Sequence, residues 1–255
     1  MIYIDYYNFI GVKMFVEKEF FIGLSDITYG NKLKNTSLLS FLEDMGGIHS
    51  SMVKNGLWDI ERTKQSWVLL AWKVKIINRP VYGDTIKIKT WSRKMDKLYA
   101  YRDYEIFDKE GNTIGKASSR WILIDIESRK ILKLDESLEK LYTQEDIDIL
   151  EIDTNFGKLK ESESYILENE FKITKNLIDI NDHVHNLYYM DIAENVIPDE
   201  ILQNVELNDF EVMYKKEIKK DEIVKSMYQE LDDSYIVTIK SIDNEILHAI
   251  LKFNK

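Results

Sequence analysis

The sequence has no cysteine, two prolines, ten glycines and four histidines in 255 residues. Without cysteine there is no disulfide, no thiolate metal site, no iron–sulfur cluster and no Cys nucleophile. Four histidines and no cysteine also argue against a structural zinc site, and nothing in the sequence calls for a cofactor or metal. Positive charge is in deficit: 35 basic against 45 acidic side chains leave a formal net charge of −10. General nucleic-acid binding needs a basic footprint and is excluded. No apolar, charge-free run approaches the roughly 18 residues a membrane helix needs, so no membrane insertion is expected. The first residues are apolar, but Asp5 interrupts them and no basic segment precedes them. They read as the lead-in to a first strand rather than a signal peptide, and the expected location is cytoplasmic.

What is present is an ordinary globular composition, 44% hydrophobic and 31% charged. Phe15 to Gly23 reads as a strand, and a loop follows. From about Thr36, Leu38, Leu39, Leu42, Met45 and Ile48 recur at helical spacing, with a stop near Asn55-Gly56. Four long strands come next, at 67–77, 85–95, 99–107 and 113–126, and should pair antiparallel; Thr85 onward alternates Ile86, Ile88 and Thr90 with Lys87, Lys89 and Trp91. Residues 127–160 read as a charged linker with helical pieces. The order then returns: a strand from Ser162 to Thr174, a polar loop, a short helix from Leu187 to Val196 ended by Pro198, and four strands between Phe210 and Phe253.

This repetition is visible residue by residue. Shifted by 151 positions, Phe20 meets Phe171, Ile22 meets Ile173, Asn35 meets Asn186 and Glu43 meets Glu194. Further on the shift falls to 137, where Asp84 meets Asp221 and Ile86 meets Ile223. In the second copy the loop before the helix holds Asp179, Asn181 and His183; the first copy has Thr28, Gly30 and Lys32 there. Glu217 faces Pro80. Only the second copy therefore carries a polar constellation, which leaves the first free for an apolar task such as holding a long chain.

The segment Asp179-Ile180-Asn181-Asp182-His183-Val184-His185-Asn186-Leu187-Tyr188-Tyr189 resembles the D-x-N-x-H-V-N-N-x-x-Y signature of acyl-ACP thioesterases. Tyr214-Lys215-Lys216-Glu217 is similar to that family's Y-R-R-E. In the first half, Trp67-Val68-Leu69, Arg79-Pro80 with Tyr82-Gly83-Asp84, Thr90-Trp91 and Ala117-Ser118-Ser119-Arg120-Trp121 match in the right order. The resemblance implies an α+β tandem double hotdog, in which each half wraps an antiparallel sheet around a central helix. It places an acyl-chain-binding hotdog at 1–126, a linker at 127–160 and a catalytic hotdog at 161–255. The implied activity is hydrolysis of fatty acyl-ACP, which ends chain elongation. A hotdog enzyme acting on acyl-CoA and a non-catalytic acyl-binding protein are the alternatives.

Carried over position by position, the resemblance makes Asp179, Asn181, His183 and Glu217 the catalytic candidates. Three positions depart from the family: Ile218 where many members have cysteine, His185 where asparagine is usual, and Leu177 where many have aspartate. The chemistry suits the residues. Thioester hydrolysis needs a carboxylate or water as nucleophile and a donor for the oxyanion. Asp179 or Glu217 could activate water or attack, His183 could protonate the leaving thiolate, and Asn181 offers an amide donor. Amides at the start of the following helix, near Asn186, could also polarise the carbonyl. The Leu38, Leu42 and Met45 stripe reads as core, with one side of it a candidate wall for an acyl tunnel, and Trp67, Trp72, Trp91 and Trp121 read mostly as core, any one of which could limit the tunnel's depth. His49 and His248 read as packing or surface residues. The partner would be an acidic acyl carrier protein, met by Lys215, Lys216 and Lys219 beside Glu217, with a second basic cluster at Arg93, Lys94 and Lys97. A fused pair of hotdogs is compatible with a monomer or a homodimer. No plastid-type transit segment is evident, so a bacterial-like cytoplasmic form is expected.

Overall fold

In the computed structural model, residues 15–93, 95–142 and 155–255 are described. The lead-in at 1–14, Lys94 and part of the 127–160 linker lie outside them. The first half supplies β1 (Phe15–Phe21), the two-residue strands β2 (Ile27–Thr28) and β3 (Lys32–Leu33), helix α1 (Asn35–Met52), the single turn α2 (Ile60–Thr63), and the strands β4 (Gln65–Ile76), β5 (Thr85–Ser92), β6 (Ala100–Phe107) and β7 (Thr113–Asp125). Helix α3 (Glu136–Tyr142) follows. The second half supplies β8 (Leu167–Lys172), α4 (Tyr188–Glu194), α5 (Asp199–Asn204), β9 (Asp209–Tyr214), β10 (Ile223–Glu230), β11 (Ser234–Ser241) and β12 (Leu247–Asn254).

Alternation turns these strands into a two-faced sheet. Along β5, Ile86, Ile88 and Thr90 are buried while Lys87 and Lys89 are half-exposed. Ten strands join in one antiparallel sheet of order β1-β5-β6-β7-β4-β9-β12-β11-β10-β8. Counted inward from either edge, the order of the five long strands of each half is the same: first, third, fourth, fifth, then the second, which follows the helix. This is a tandem double hotdog, with β4 and β9 paired at the joint from Ala71 opposite Met213 to Lys75 opposite Asp209. The sheet wraps α1 and α4. Leu38, Leu39, Leu42 and Met45 of α1 and Met190, Ile192 and Ala193 of α4 are buried in one core with Trp72, Phe210 and Phe253. Truncating one such leucine to alanine typically costs ~2–5 kcal/mol.

Several boundaries differ from the sequence reading. Helix α1 ends at Met52, before the expected stop, because Lys54 takes the left-handed conformation (φ 57°) and Asn55 N–H turns back to Ser50 O at 2.9 Å. Pro198 does more than end α4, since it caps the start of α5. Strand β8 begins at Leu167 rather than Ser162. The preceding chain instead crosses the outer face of the sheet, where Leu159 packs on Met213, Ile236 and Ile250, and Tyr165 Oη donates to Thr238 Oγ1 at 2.9 Å.

A buried polar cluster ties the halves together. Arg79 Nη2 donates to Asn35 Oδ1 and Leu207 O, both at 3.0 Å, and Arg79 Nη1 donates to Leu33 O at 2.6 Å. Asn35 Nδ2 in turn donates to Glu194 Oε1 at 3.3 Å. Burial, reinforced by the Asp191 charge, pushes the Glu194 carboxyl up to about 7, against the Asn35 hydrogen bond, Arg79 and Lys34. The folded state thus holds a proton that the unfolded chain releases, and stability falls as pH rises from the ordinary glutamate range to about 7. Glu194→Gln removes that dependence. In urea titrations from pH 5 to pH 8, the stability difference should move in the variant's favour by on the order of 2 kcal/mol. A pH-independent difference would show that Glu194 is ionised throughout.

Candidate active site

The loop after β8 is folded by its own first aspartate. Asp179 Oδ1 accepts the N–H of Asn181 at 2.8 Å and of His183 at 3.2 Å, and Oδ2 accepts Asn181 Nδ2 at 3.1 Å. Asp179 N–H closes the turn on His183 O at 2.8 Å, with Asp182 left-handed at φ 62°. This is why an Asp and an Asn two residues apart suit the position: one carboxylate satisfies three donors and aims the asparagine.

Glu217 sits on the adjoining segment. Val184 N–H donates to Ile218 O at 2.9 Å, and His183 forms an antiparallel bridge with Lys219. The two segments therefore run side by side and bring His183 next to Glu217. Tyrosines hold the arrangement: Ile218 N–H donates to Tyr189 Oη at 3.1 Å, and Tyr214 Oη donates to Asn186 O at 3.1 Å. His248, read from sequence as a packing residue, is buried and braces the Glu217 turn, its carbonyl accepting Lys215 N–H at 2.8 Å. Ile218 is fully buried, so the place where many family members carry cysteine faces the core.

Glu217 is about one-third exposed, with Arg129 Nη2 at 3.5 Å and Lys216 Nζ at 3.9 Å. Partial burial pushes its carboxyl up, but its own backbone hydrogen bond, Lys216, His183 and Arg129 outweigh this and hold it below the ordinary glutamate value. Two of the amides at the helix start are engaged within the turn. Tyr188 and Tyr189 N–H donate to His185 O at 3.0 Å and Asn186 O at 3.3 Å, and α4 has only seven residues.

A cavity of about 250 Å³ opens in the first half against α1 and reaches this loop. Glu43, Gly46, Gly47 and Ser50 line it from α1, Trp67, Met95, Ala100, Arg102 and Trp121 from the sheet side, and Tyr142 from α3. Asn181 closes the wall from the second half. Leu42 and Met45 are fully buried in the core on another face of α1 and are not among the lining residues. The cavity follows the face with the small side chains, where room is left, rather than the packed apolar stripe. Trp67 and Trp121 line it; Trp72 and Trp91 are core.

The inner wall is polar but closed on itself. Arg102 Nη1 lies 2.8 Å from His49 Nδ1 and donates to Thr90 Oγ1 at 3.3 Å. Burial first, and then Arg102, hold the His49 imidazole well below its usual pKa, so it is neutral and accepts from the guanidinium. Tyr142 Oη donates to Ser50 Oγ at 3.1 Å and accepts from Trp67 Nε1 at 3.0 Å.

Lys215, Lys216, Lys219 and Lys220 are exposed on the Glu217 side, and Arg129 from the turn after β7 joins them. In the second basic cluster, Arg93 Nε lies 3.4 Å from Asp103 and its guanidinium stacks over the Tyr101 ring. Sequence reasoning missed Glu43, Arg129 and Tyr142. Glu43 left a signal, a carboxylate at the same repeat register as Glu194. Arg129 and Tyr142 left none, because only the fold brings them here.

Two family models match the chain: the acyl-ACP thioesterase N-terminal domain over residues 13–142 and the C-terminal domain over residues 160–254. An acyl-[acyl-carrier-protein] hydrolase of Cuphea viscosissima is 26% identical over 208 residues, 80% of this chain and 48% of that protein. Oleoyl-acyl carrier protein thioesterase 1 of Arabidopsis thaliana is 26% identical over 171 residues, 63% of this chain and 47% of that protein. The chain thus spans about half the length of these curated relatives. Among solved structures, an acyl-ACP thioesterase from Bacteroides thetaiotaomicron superposes with a TM-score of 0.84 at 21% identity, covering 94% of this chain and 97% of that one. The 12:0-ACP thioesterase from Umbellularia californica gives 0.84 at 17% identity, covering 96% and 98%. With models matching both halves in order, the chain belongs to the acyl-ACP thioesterase family.

Proposed function

We propose that the protein hydrolyses the thioester of a fatty acyl chain carried on acyl carrier protein, releasing the free fatty acid and so ending elongation. One observation carries the reading. Asn181 belongs to the Asp179–His183 loop and also forms part of the cavity wall, so a chain held in the first half would present its carbonyl to the second.

The donor count divides the roles. Asp179 already accepts three hydrogen bonds within its loop and serves to aim Asn181. One Asn181 N–H is spent on Asp179, and the other is available to the thioester oxygen. Glu217, kept ionised by its cations, takes a proton from water as the water oxygen attacks the carbonyl carbon. The tetrahedral oxyanion is held by Asn181, a type of contact whose loss costs about 10²–10³ in kcat. Collapse breaks the carbon–sulfur bond, His183 supplies the proton to the departing thiolate, and the proton taken up by Glu217 returns to His183. The exposed lysines beside Glu217, with Arg129, offer an acidic carrier a local positive patch on a chain of net charge −10.

Free-thiol release from C8–C18 acyl-ACPs and the matching acyl-CoAs tests the reading. Wild type should turn over with preference for the carrier protein, and Asn181→Ala and His183→Ala should each lose roughly 10²-fold or more in kcat while keeping the fold. Near-normal rates in both variants would overturn the site. Ala100→Leu, which fills the cavity wall, should shift the chain-length optimum to shorter acyl groups; an unchanged profile would remove the cavity from the chain-holding role. Lys215→Glu with Lys219→Glu should raise KM for acyl-ACP more than for a short acyl-thiol analogue. Equal effects on both substrates would exclude these lysines from carrier docking.

A further inference from the structure

The repeat register aligns one carboxylate of each central helix, Glu43 of α1 with Glu194 of α4, and each reaches across to the other half. Glu194 Oε1 accepts from Asn35 Nδ2 at 3.3 Å. Glu43 Oε2 lies 2.8 Å from His185 Nε2, one residue before Asn186, the counterpart of Asn35. The first cross-pair is sealed by Arg79. The counterpart of Arg79 is Lys216, which is exposed and leans toward Glu217 instead. Of the second cross-pair Glu43 borders the cavity, and Asn181 lines it too. The His185 backbone is fixed as well, its N–H donating to Leu177 O at 2.9 Å. The Tyr188 ring meets the imidazole edge-on at 6.2 Å.

We propose that Glu43, a residue of the chain-holding half, is a positioning residue for hydrolysis: through His185 it holds the 179–186 loop against α1 and so sets Asn181 at the cavity wall. This rests on the reading of the site given above and adds a residue outside it. His185 stands where the family usually has asparagine, so the link here pairs two titratable groups. The charged groups facing the imidazole are Glu43 and Asp44 from α1 and Asp179 from its own loop. All are acidic. The Glu43 hydrogen bond, chiefly, holds the imidazole above its ordinary pKa against the effect of burial. Tyr188 from α4 flanks the ring, and Tyr214 of β9, near Glu43, is buried with its hydroxyl proton held tightly. The positive charge of the imidazole, and with it the ionic part of the link, is lost as pH rises through the elevated His185 value.

The test compares kcat, KM and their pH profiles on acyl-ACP for wild type, Glu43→Gln, Glu43→Ala, His185→Ala and the Glu43→Ala/His185→Ala double variant. His185 is titrated by NMR in wild type and Glu43→Gln. Each alanine variant should lose about tenfold or more in kcat with KM changed far less, because the loop is misplaced rather than the chain unbound. The double variant should fall no further than the worse single one, as expected for two residues acting as a unit. Glu43→Gln, which still accepts a hydrogen bond, should recover much of the rate, lower the His185 pKa and shift the alkaline limb of kcat to lower pH. Additive losses, a wild-type rate in Glu43→Ala, or an unmoved His185 titration would overturn the proposal while leaving the hydrolytic reading intact. Absence of hydrolysis in wild type would overturn both.

Discussion

The pairing of β4 with β9 is the constraint on which the rest of the molecule depends. Five residue pairs, Ala71–Met213 to Lys75–Asp209, convert two five-stranded sheets into one of ten. Trp72 and Val212 face the core at this joint, while Lys73 and Glu211, 3.5 Å apart, face outward. Among the described residues the ten-stranded sheet has β1 and β8 as its edges, and both carry charge: Glu17, Lys18 and Glu19 on one, Glu168, Glu170 and Lys172 on the other. More important for chemistry, the joint sets α1 and α4 side by side in a common core. Each helix then meets the loop that leads into the other, and the crosswise contacts Glu43–His185 and Glu194–Asn35 follow from that placement.

From the same frame the two halves diverge by the direction of one basic residue. Arg79 turns inward, satisfies Leu33 O, Asn35 Oδ1 and Leu207 O, and fills the space beside Glu194. Lys216, its counterpart, stays in solvent and leaves the next residue, Glu217, beside His183. A guanidinium with several rigid donors can bridge buried carbonyls in a way an ammonium does not, so arginine suits the closed copy and lysine the open one. The asymmetry serves stability in one half and access in the other.

Much of this was legible in the sequence, and the reason is periodic. β-forming residues and turn signals mark the eight strands that follow the helices, with two-residue alternation clearest from Thr85; three- and four-residue spacing marks α1, and the offsets of 151 and 137 align the halves within the sequence itself. Asp179, Asn181 and His183 could be found together because one turn holds them, and turn chemistry is local. The cavity wall was less accessible. Leu42 and Met45 drew attention as apolar residues at helical spacing, yet that spacing reports packing against the sheet, and packed side chains leave no space. The open face of α1 is the one with Gly46, Gly47 and Ser50, which carries no hydrophobic signal at all. Tyr142 and Arg129 come from the charged stretch after β7, where neither periodicity nor motif marks which side chain will turn inward.

Among the carboxylates around the loop, Asp179, Glu43 and Glu217 are separated in behaviour by the number of donors each already holds. Asp179 has three, all from its own turn, and its oxygens are committed to geometry. Glu43 has His185 on Oε2, while its buried Oε1 has no hydrogen-bond partner among the described residues, so its charge is spent largely on one imidazole. Glu217 has long, solvent-washed contacts to Arg129 and Lys216, which stabilise its charge without saturating its oxygens. A base must be ionised and must also have a lone pair free for the incoming proton. Of the three, Glu217 meets both conditions, whereas Asp179 would have to surrender the hydrogen bonds that shape the loop, and Glu43 the contact that ties the halves together. With no cysteine in the chain and Ile218 buried where one commonly stands, the proposed hydrolysis has no thiol to call on, and Glu217 is the carboxylate of the three with an oxygen free to take a proton from water.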